Sequence, residues 1–169
     1  TKLELLKKED VTKILLKNRI VFLGENHAKE DHHKWQLETI KKIYQQNNKI
    51  ALAVEMLPQR VQQTLDKWIN GKINQKEFLT ESDWYGFWGY DINLYISIFN
   101  FARENKIKIL ALNIDHELLR AITHKGFDSL DKQTKDIIGK PAIPSEEYIK
   151  YLKDIFAMHT NYDKKNDLE

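Results

Sequence analysis

Arg19-Ile20-Val21-Phe22-Leu23-Gly24-Glu25-Asn26-His27 opens the stretch that decides the fold, and Ile50-Ala51-Leu52-Ala53-Val54-Glu55 closes it. The first run, Arg19 to Gly24, is short, apolar and β-branched, the pattern of a buried strand ending at a glycine. From Glu30 to Gln46, Trp35, Leu37, Ile40, Ile43 and Tyr44 recur at three- and four-residue spacing. That is an amphipathic helix, stopped by the polar run Gln45-Gln46-Asn47-Asn48. Ile50 to Val54 repeats the strand pattern. Strand, helix and strand at this spacing predict a βαβ unit, with parallel strands and a right-handed crossover.

Working outward, Pro58 stands where a first helical turn would begin, and Val61, Leu65, Trp68 and Ile69 continue at helical spacing to Gly71. A short helix is expected over Gln75 to Leu79. Asp83 to Tyr90 reads as a loop crowded with Trp84, Tyr85, Phe87, Trp88 and Tyr90. A further helix is expected from Asn93 to Glu104, then a third strand from Lys108 to Leu112 and a helix through Ile122. After Gly126 the pattern weakens past Pro141 and Pro144, until a helix from Ser145 to His159. The polar tail, Thr160 to Glu169, is expected to fray. Neither a repeat nor a dividing linker interrupts the pattern. The expectation is a single α/β domain over residues 1–169, a mainly parallel sheet flanked by helices, with additional helical segments.

Composition narrows the functions. The 169 residues are 41% hydrophobic and 31% charged with only six Gly and three Pro, which excludes disordered and collagen-like chains. A formal charge of +2 gives no reason to expect nucleic acid as a partner. No apolar run approaches the roughly 18–20 residues of a transmembrane helix, and the N-terminus lacks a signal-peptide core. The chain has no cysteine, so disulfides, thiolate metal sites and a cysteine nucleophile are excluded. A metal ion would have to be held by His, carboxylate or Tyr.

The three expected strands end alike: the first in Glu25-Asn26-His27, the second in Glu55, the third in Asn113, Asp115 and His116. Ligand sites of open parallel sheets lie beyond the carboxyl ends of the strands. A metal-capable cluster of Glu25, His27, Glu55 and Asn113 is therefore expected there. His33 and Gln36, three apart, share a face of the helix that begins nearby. Plainer readings compete. Glu25 or Asn26 could cap that helix, His32-His33 could lie on the surface, and the aromatic loop could be core, a lid, or an apolar wall for a flat ligand. Glu55 is harder to dismiss, because a carboxylate at the buried end of a strand is costly unless paired. Nucleotide-phosphate fingerprints, a His-Glu-x-x-His helix and a Gly-x-Ser-x-Gly elbow are all lacking. Metal or cofactor binding is what remains.

Gly24-Glu25-Asn26-His27 with His33 and Gln36 resembles the opening motif of the ChaN-like haem-binding proteins. Their superfamily also holds Tiki-type metal-dependent proteases and erythromycin-esterase-like enzymes. The resemblance continues in order through Val54-Glu55-Met56, Gln59, Leu65-Asp66, Trp84, Tyr95, Ala102-Arg103, Leu112-Asn113-Ile114 and Gly126. It ends with Tyr148, Leu152, Phe156 and His159. It implies haem binding for iron acquisition at the bacterial cell envelope, often by an outer-membrane lipoprotein facing the periplasm. It also implies Tyr as iron ligand, two haems paired between two subunits in a haem-dependent homodimer, and an outer-membrane haem receptor as a possible partner. Tyrosinate is a hard anionic ligand suited to ferric haem. Tyr148 is the first choice and Tyr95 the second, with His159 and His33 also in the expected haem site. Family domains usually continue past this chain's end, so a C-terminal part is expected to be missing. The absence of a lipid-anchoring Cys is expected if the chain begins after a removed leader. A haem binder without turnover is thus the first expectation. The alternative is a metal-dependent hydrolase in which Glu25, His27 and Glu55 hold a divalent ion that activates water.

Overall fold

The computed structural model describes residues 8–166, with side chains described over residues 11–157. The chain divides into two compact units, Thr1–Arg120 and Ala121–Glu169.

In the first unit, α1 (Lys8–Leu15) precedes α2 (Glu30–Gln46), whose bounds are those expected from its periodicity. Next come β1 (Ala51–Pro58), a 3-10 turn (Gln59–Val61), α3 (Gln62–Ile69), α4 (Gln75–Ser82), α5 (Trp84–Phe87) and a second 3-10 turn (Ile92–Leu94). Finally α6 (Ile96–Glu104) leads into β2 (Lys108–Asn113). The two strands pair in parallel, Ala51 opposite Lys108 and Val54 opposite Ala111. The protein is α/β, with a parallel two-stranded sheet among helices. The free edge of β2 is closed by a side chain. Gln62 Nε2 donates to the Ile109 carbonyl at 2.8 Å, and Gln62 Oε1 accepts the Ala111 N–H at 2.9 Å.

Leu57, Leu65, Trp68, Phe78, Trp84 and Phe99 are fully or almost fully buried and make the centre of the core. Each such side chain contributes about 1.5–3 kcal/mol by leaving water. Trp68 keeps its one polar atom satisfied by donating Nε1–H to the Phe99 carbonyl at 3.0 Å, and Arg103 lies 4.5 Å over its ring. The start of α4 is fixed by a capping box: Asn74 accepts from the Glu77 N–H at 3.0 Å, and the Glu77 carboxylate accepts from the Asn74 N–H at 2.7 Å.

Several expectations are corrected. Residues 19–24 form no strand. The chain is extended there, and alternate residues Val21, Leu23, Glu25 and His27 are half-buried while Phe22 is 91% exposed. One face rests on the protein, but among the described residues no backbone ladder joins it to the sheet. Periodicity records a face, and a ladder needs a partner in register. The expected right-handed strand–helix–strand unit therefore has its helix and its second strand only. Pro58 ends β1 in an extended conformation (φ −76°, ψ 153°) and stands as the N-cap of the 3-10 turn Gln59–Val61, which runs on into α3, so the helical turn begins one residue after the expected place. The aromatic stretch is not all loop, since Trp84–Phe87 form a helical turn.

The second unit takes over within α7 (His116–Lys125) and continues through a 3-10 turn (Phe127–Ser129), α8 (Lys132–Ile138) and α9 (Glu146–Asn166). The helix α8 lies where the sequence pattern is weak; Asp131 caps it by accepting the Thr134 N–H at 2.9 Å. The backbone of α9 runs on to Asn166, past the stop expected at His159. Ser145 Oγ accepts the Tyr148 N–H at 3.2 Å and so caps its start.

Candidate functional site

The segment Gly24-Glu25-Asn26-His27 turns sharply into α2. The Asn26 carboxamide accepts the Ala28 N–H, its carbonyl accepts the Lys29 N–H, and its own N–H donates to His32 Nδ1 at 2.9 Å. Neither Glu25 nor Asn26 caps the helix; the residue in that place is Lys29, with no side-chain bond. One turn into α2, Gln36 Nε2 donates to the Leu23 carbonyl at 2.7 Å and pins the extended segment against the helix. The shared face expected for His33 and Gln36 thus meets the segment from below.

Glu25 is the centre of this arrangement. Its side chain is only 6% exposed, a position in which a carboxylate is costly unless its oxygens are paired. Oε1 accepts from His27 Nδ1 at 2.6 Å and from the Tyr95 hydroxyl at 3.3 Å. Oε2 lies 3.4 Å from His33 Nε2, outside hydrogen-bond geometry. His33 is buried, contrary to the surface reading of the His pair, and neither of its ring nitrogens has a hydrogen-bond partner. Its ring packs edgewise on Tyr95 with centroids 4.3 Å apart. His32, in contrast, is exposed.

Tyr95 is fully buried, and its hydroxyl also reaches the His27 carbonyl at 3.3 Å. Burial, and then the charge and hydrogen bond of Glu25, hold the phenol well above its ordinary range. It is a neutral donor at physiological pH. The His27 ring packs edgewise between Trp88, centroids 4.6 Å apart, and Tyr90, at 5.1 Å. The aromatic stretch therefore divides its work: Trp84 is core, while Trp88 and Tyr90 flank His27.

Glu55 reaches the same place from the sheet. The regular ladder ends at Val54, and before Pro58 pairs with Asn113 the residues Glu55, Met56 and Leu57 face Leu112 alone. This bulge re-aims the chain at the strand end. Asn113 Nδ2 donates to the Glu55 carbonyl at 2.9 Å and replaces the missing ladder bond. Glu55 is exposed, which corrects the expectation of a buried carboxylate. One ligand atom from each of Glu25, His27 and Glu55 lies within 4.8 Å of the others. Asn113 belongs to the cluster through its grip on the backbone. Asp115 is engaged with Arg60, and His116 stacks on Phe87 at 4.4 Å.

Tyr148 belongs to the second unit and is 53% exposed near the start of α9, with Leu152 (45%) and Phe156 (73%) one and two turns on. His159 lies on the α9 backbone, and its side chain is outside the described residues. Sequence reasoning missed the burial of His33, the pairing of His27 with Trp88 and Tyr90, and the bulge. Aromatic crowding at 84–90 was a signal for the second; the bulge depends on two strands at once and leaves none.

An α/β protein with a carboxylate–imidazole–phenol cluster beyond its strands is the class defined by these features. The chain belongs to the family described as "Haem-binding uptake, Tiki superfamily, ChaN", whose model matches residues 11–169. Haem is that family's cofactor. Among solved structures the fold is similar to that of ChaN from Campylobacter jejuni, described as showing cofacial heme binding. The TM-score is 0.70 at 23% identity, over 92% of this chain and 59% of that one. This chain therefore spans less than two thirds of that protein's length. No curated protein matches it.

Proposed function

We propose that this protein captures ferric haem for uptake at the bacterial cell envelope, with Tyr148 supplying the iron ligand. The family match over residues 11–169 is the observation that carries the reading. Bound haem supplies a ferric centre whose axial position takes a hard anionic oxygen. The residues of α9 fit that need. Tyr148 is an accessible phenol, and Leu152 and Phe156 follow it at helical spacing as an apolar wall for a flat ring. Tyr95, the other candidate, is less suited, because its hydroxyl is buried, bonded and kept protonated.

The finer parts of the reading follow from the same surface. A ring held through one face leaves the other apolar, and such patches are buried by association. Two copies facing each other close that surface with two-fold symmetry, in line with the cofacial haem described for the Campylobacter jejuni protein. The role is binding without turnover, in an outer-membrane-associated lipoprotein facing the periplasm that receives haem from an outer-membrane receptor. Among the described residues no helix is long and apolar enough to cross a membrane.

Haem titration followed by absorbance tests the reading. Saturation is expected near one haem per chain, with a phenolate-to-iron charge-transfer band that disappears in Tyr148→Phe. A spectrum indistinguishable from free haem overturns haem binding; an unaltered band in the variant overturns the ligand.

A further inference from the structure

We propose that the groove along α4 binds a short peptide with free ends, about three residues long, its ammonium group at Asp83 and its carboxylate at Lys76. The proposal uses neither haem nor Tyr148. Three observations carry it. The first is the groove itself. Gln75, Lys76, Leu79, Thr80, Asp83 and Tyr85 line an open space of about 670 Å³, within the range of about 300–1,000 Å³ that small-ligand sites occupy. Its apolar parts are the half-buried Leu79 and the Tyr85 ring, which is 55% exposed. An aromatic face beside polar groups suits a ligand with an aliphatic middle and charged ends.

The second is a pair of opposite charges that do not meet. Lys76 and Asp83 line the same groove, yet among the described residues neither side chain has an ion pair or a hydrogen bond. The other acids of α4 are engaged: Glu77 accepts the Asn74 N–H at 2.7 Å, and Glu81 accepts from Lys67 at 2.8 Å. From position 76 to position 83, at 1.5 Å per helical residue, is about 10 Å. A free amino acid carries both charges on one carbon and is too short for that span. An extended peptide of three residues covers about 10 Å. The dipole of α4 favours the same direction, a carboxylate at the Lys76 end and an ammonium at the Asp83 end.

The third is how Asp83 is held. It lies in the left-handed region (φ 50°, ψ 46°), where it ends α4 and opens α5. Its carboxylate sits over Gly86: a Cβ there would fall 2.4 Å from Asp83 Oδ1, so the glycine makes room for this orientation. Left-handed backbone is costly for a residue other than glycine and persists only where the surroundings hold it. Nor does the carboxylate cap α5. It is therefore oriented by its backbone and its neighbour and left open to a cation.

Titration of the whole, haem-free chain with the peptide Ala-Leu-Ala, followed by amide chemical shifts, decides the matter. Saturable shifts are expected in α4 and residues 83–86, with millimolar or tighter affinity. The N-acetylated and the C-amidated peptides should each bind at least threefold more weakly, a comparison that needs no variant. The free peptide should lose as much on Lys76→Gln and on Asp83→Asn. Lys76 is exposed and asparagine tolerates the left-handed region, so both variants are expected to keep their far-UV circular dichroism. Absence of saturable shifts at these residues, or a loss smaller than threefold on blocking either end or in either variant, overturns the proposal. Tyr148→Phe is expected to bind the peptide as the unaltered protein does, so failure of the haem reading and failure of this one are told apart.

Discussion

The two units bury their apolar side chains very differently. In the first, Leu65, Phe78, Trp84 and Phe99 have no exposure at all, and aromatic rings stack in a continuous chain from Trp68 through Phe78 to Trp84 and Tyr95. In the second, none of the residues described from Ala121 to Ala157 is buried, and Ile137, Ile143, Tyr148, Tyr151, Leu152 and Phe156 are all exposed. Packing holds the first unit by itself. The apolar residues of the second are surface, of a kind that ligands and partners cover.

The largest effect that would break this contrast is a core truncation. Leu65→Ala is expected to cost about 3 kcal/mol through lost burial and the cavity left behind, whereas Leu152→Ala is expected to stay within about 0.5 kcal/mol in haem-free protein. Urea unfolding of both variants reads the difference, and equal losses would show that the second unit hides a core of its own.

Haem should sharpen the contrast next. A ligand that binds only the folded state stabilises by about 2.7 kcal/mol at free ligand hundredfold above its Kd. Tyr148→Phe, with affinity at least tenfold weaker, is expected to keep about 1.4 kcal/mol or less of that at the same haem concentration. Its haem-free stability should be unchanged. Haem should also raise the dimer fraction increasingly with protein concentration. A haem-loaded species that sediments as a monomer over a hundredfold concentration range would remove the shared-haem arrangement.

Smaller still is the effect of the buried phenol. Tyr95→Phe loses the hydroxyl bonds to Glu25 and the His27 carbonyl and is expected to cost about 1 kcal/mol at pH 7. The sign of its pH dependence follows from the raised folded-state pKa. Folding favours the protonated phenol, so its contribution is complete below the unfolded value of about 10 and falls as pH rises above it. The gap between the two proteins should therefore shrink above about pH 10 in denaturation series. A gap independent of pH would mean that burial does not control this group. Smallest is Ser145→Ala, expected to remove about 0.5 kcal/mol from the first turn of α9, visible as a slight loss of helical circular dichroism.

Much of this was legible in residues. The helix α2 came from five apolar positions, and Ile50 to Val54 and Lys108 to Leu112 were recognisable as strands because short aliphatic runs between polar stops have few other uses. The convergence of Glu25, His27 and Glu55 followed from asking where the expected runs end, although only the run that leads to Glu55 is a strand and the one that leads to Glu25 and His27 is not. What escaped was whatever depends on a partner. Residues 19–24 have strand composition, but pairing is a property of two segments and the second is not supplied. The exposure of Glu55 is set by the bulge opposite Leu112, and the burial of His33 by packing against Tyr95. The helix α8 has too few apolar residues to announce itself, and its cap at Asp131 was the available sign.

The Gln62 carboxamide on the open side of β2 has a colloidal consequence. Strands with a bare edge are templates for other chains, and proteins blunt them with charge, bulges or covering elements. Here an amide stands in for the missing neighbour, offering one donor and one acceptor in the places a peptide would. Gln62→Leu would leave the Ile109 carbonyl and the Ala111 N–H without those partners. The damage would show first as turbidity, rising with storage time and concentration, while fresh dilute protein still melted near its original temperature. Turbidity without a shift in melting is the expected sign that one uncharged side chain guards this edge.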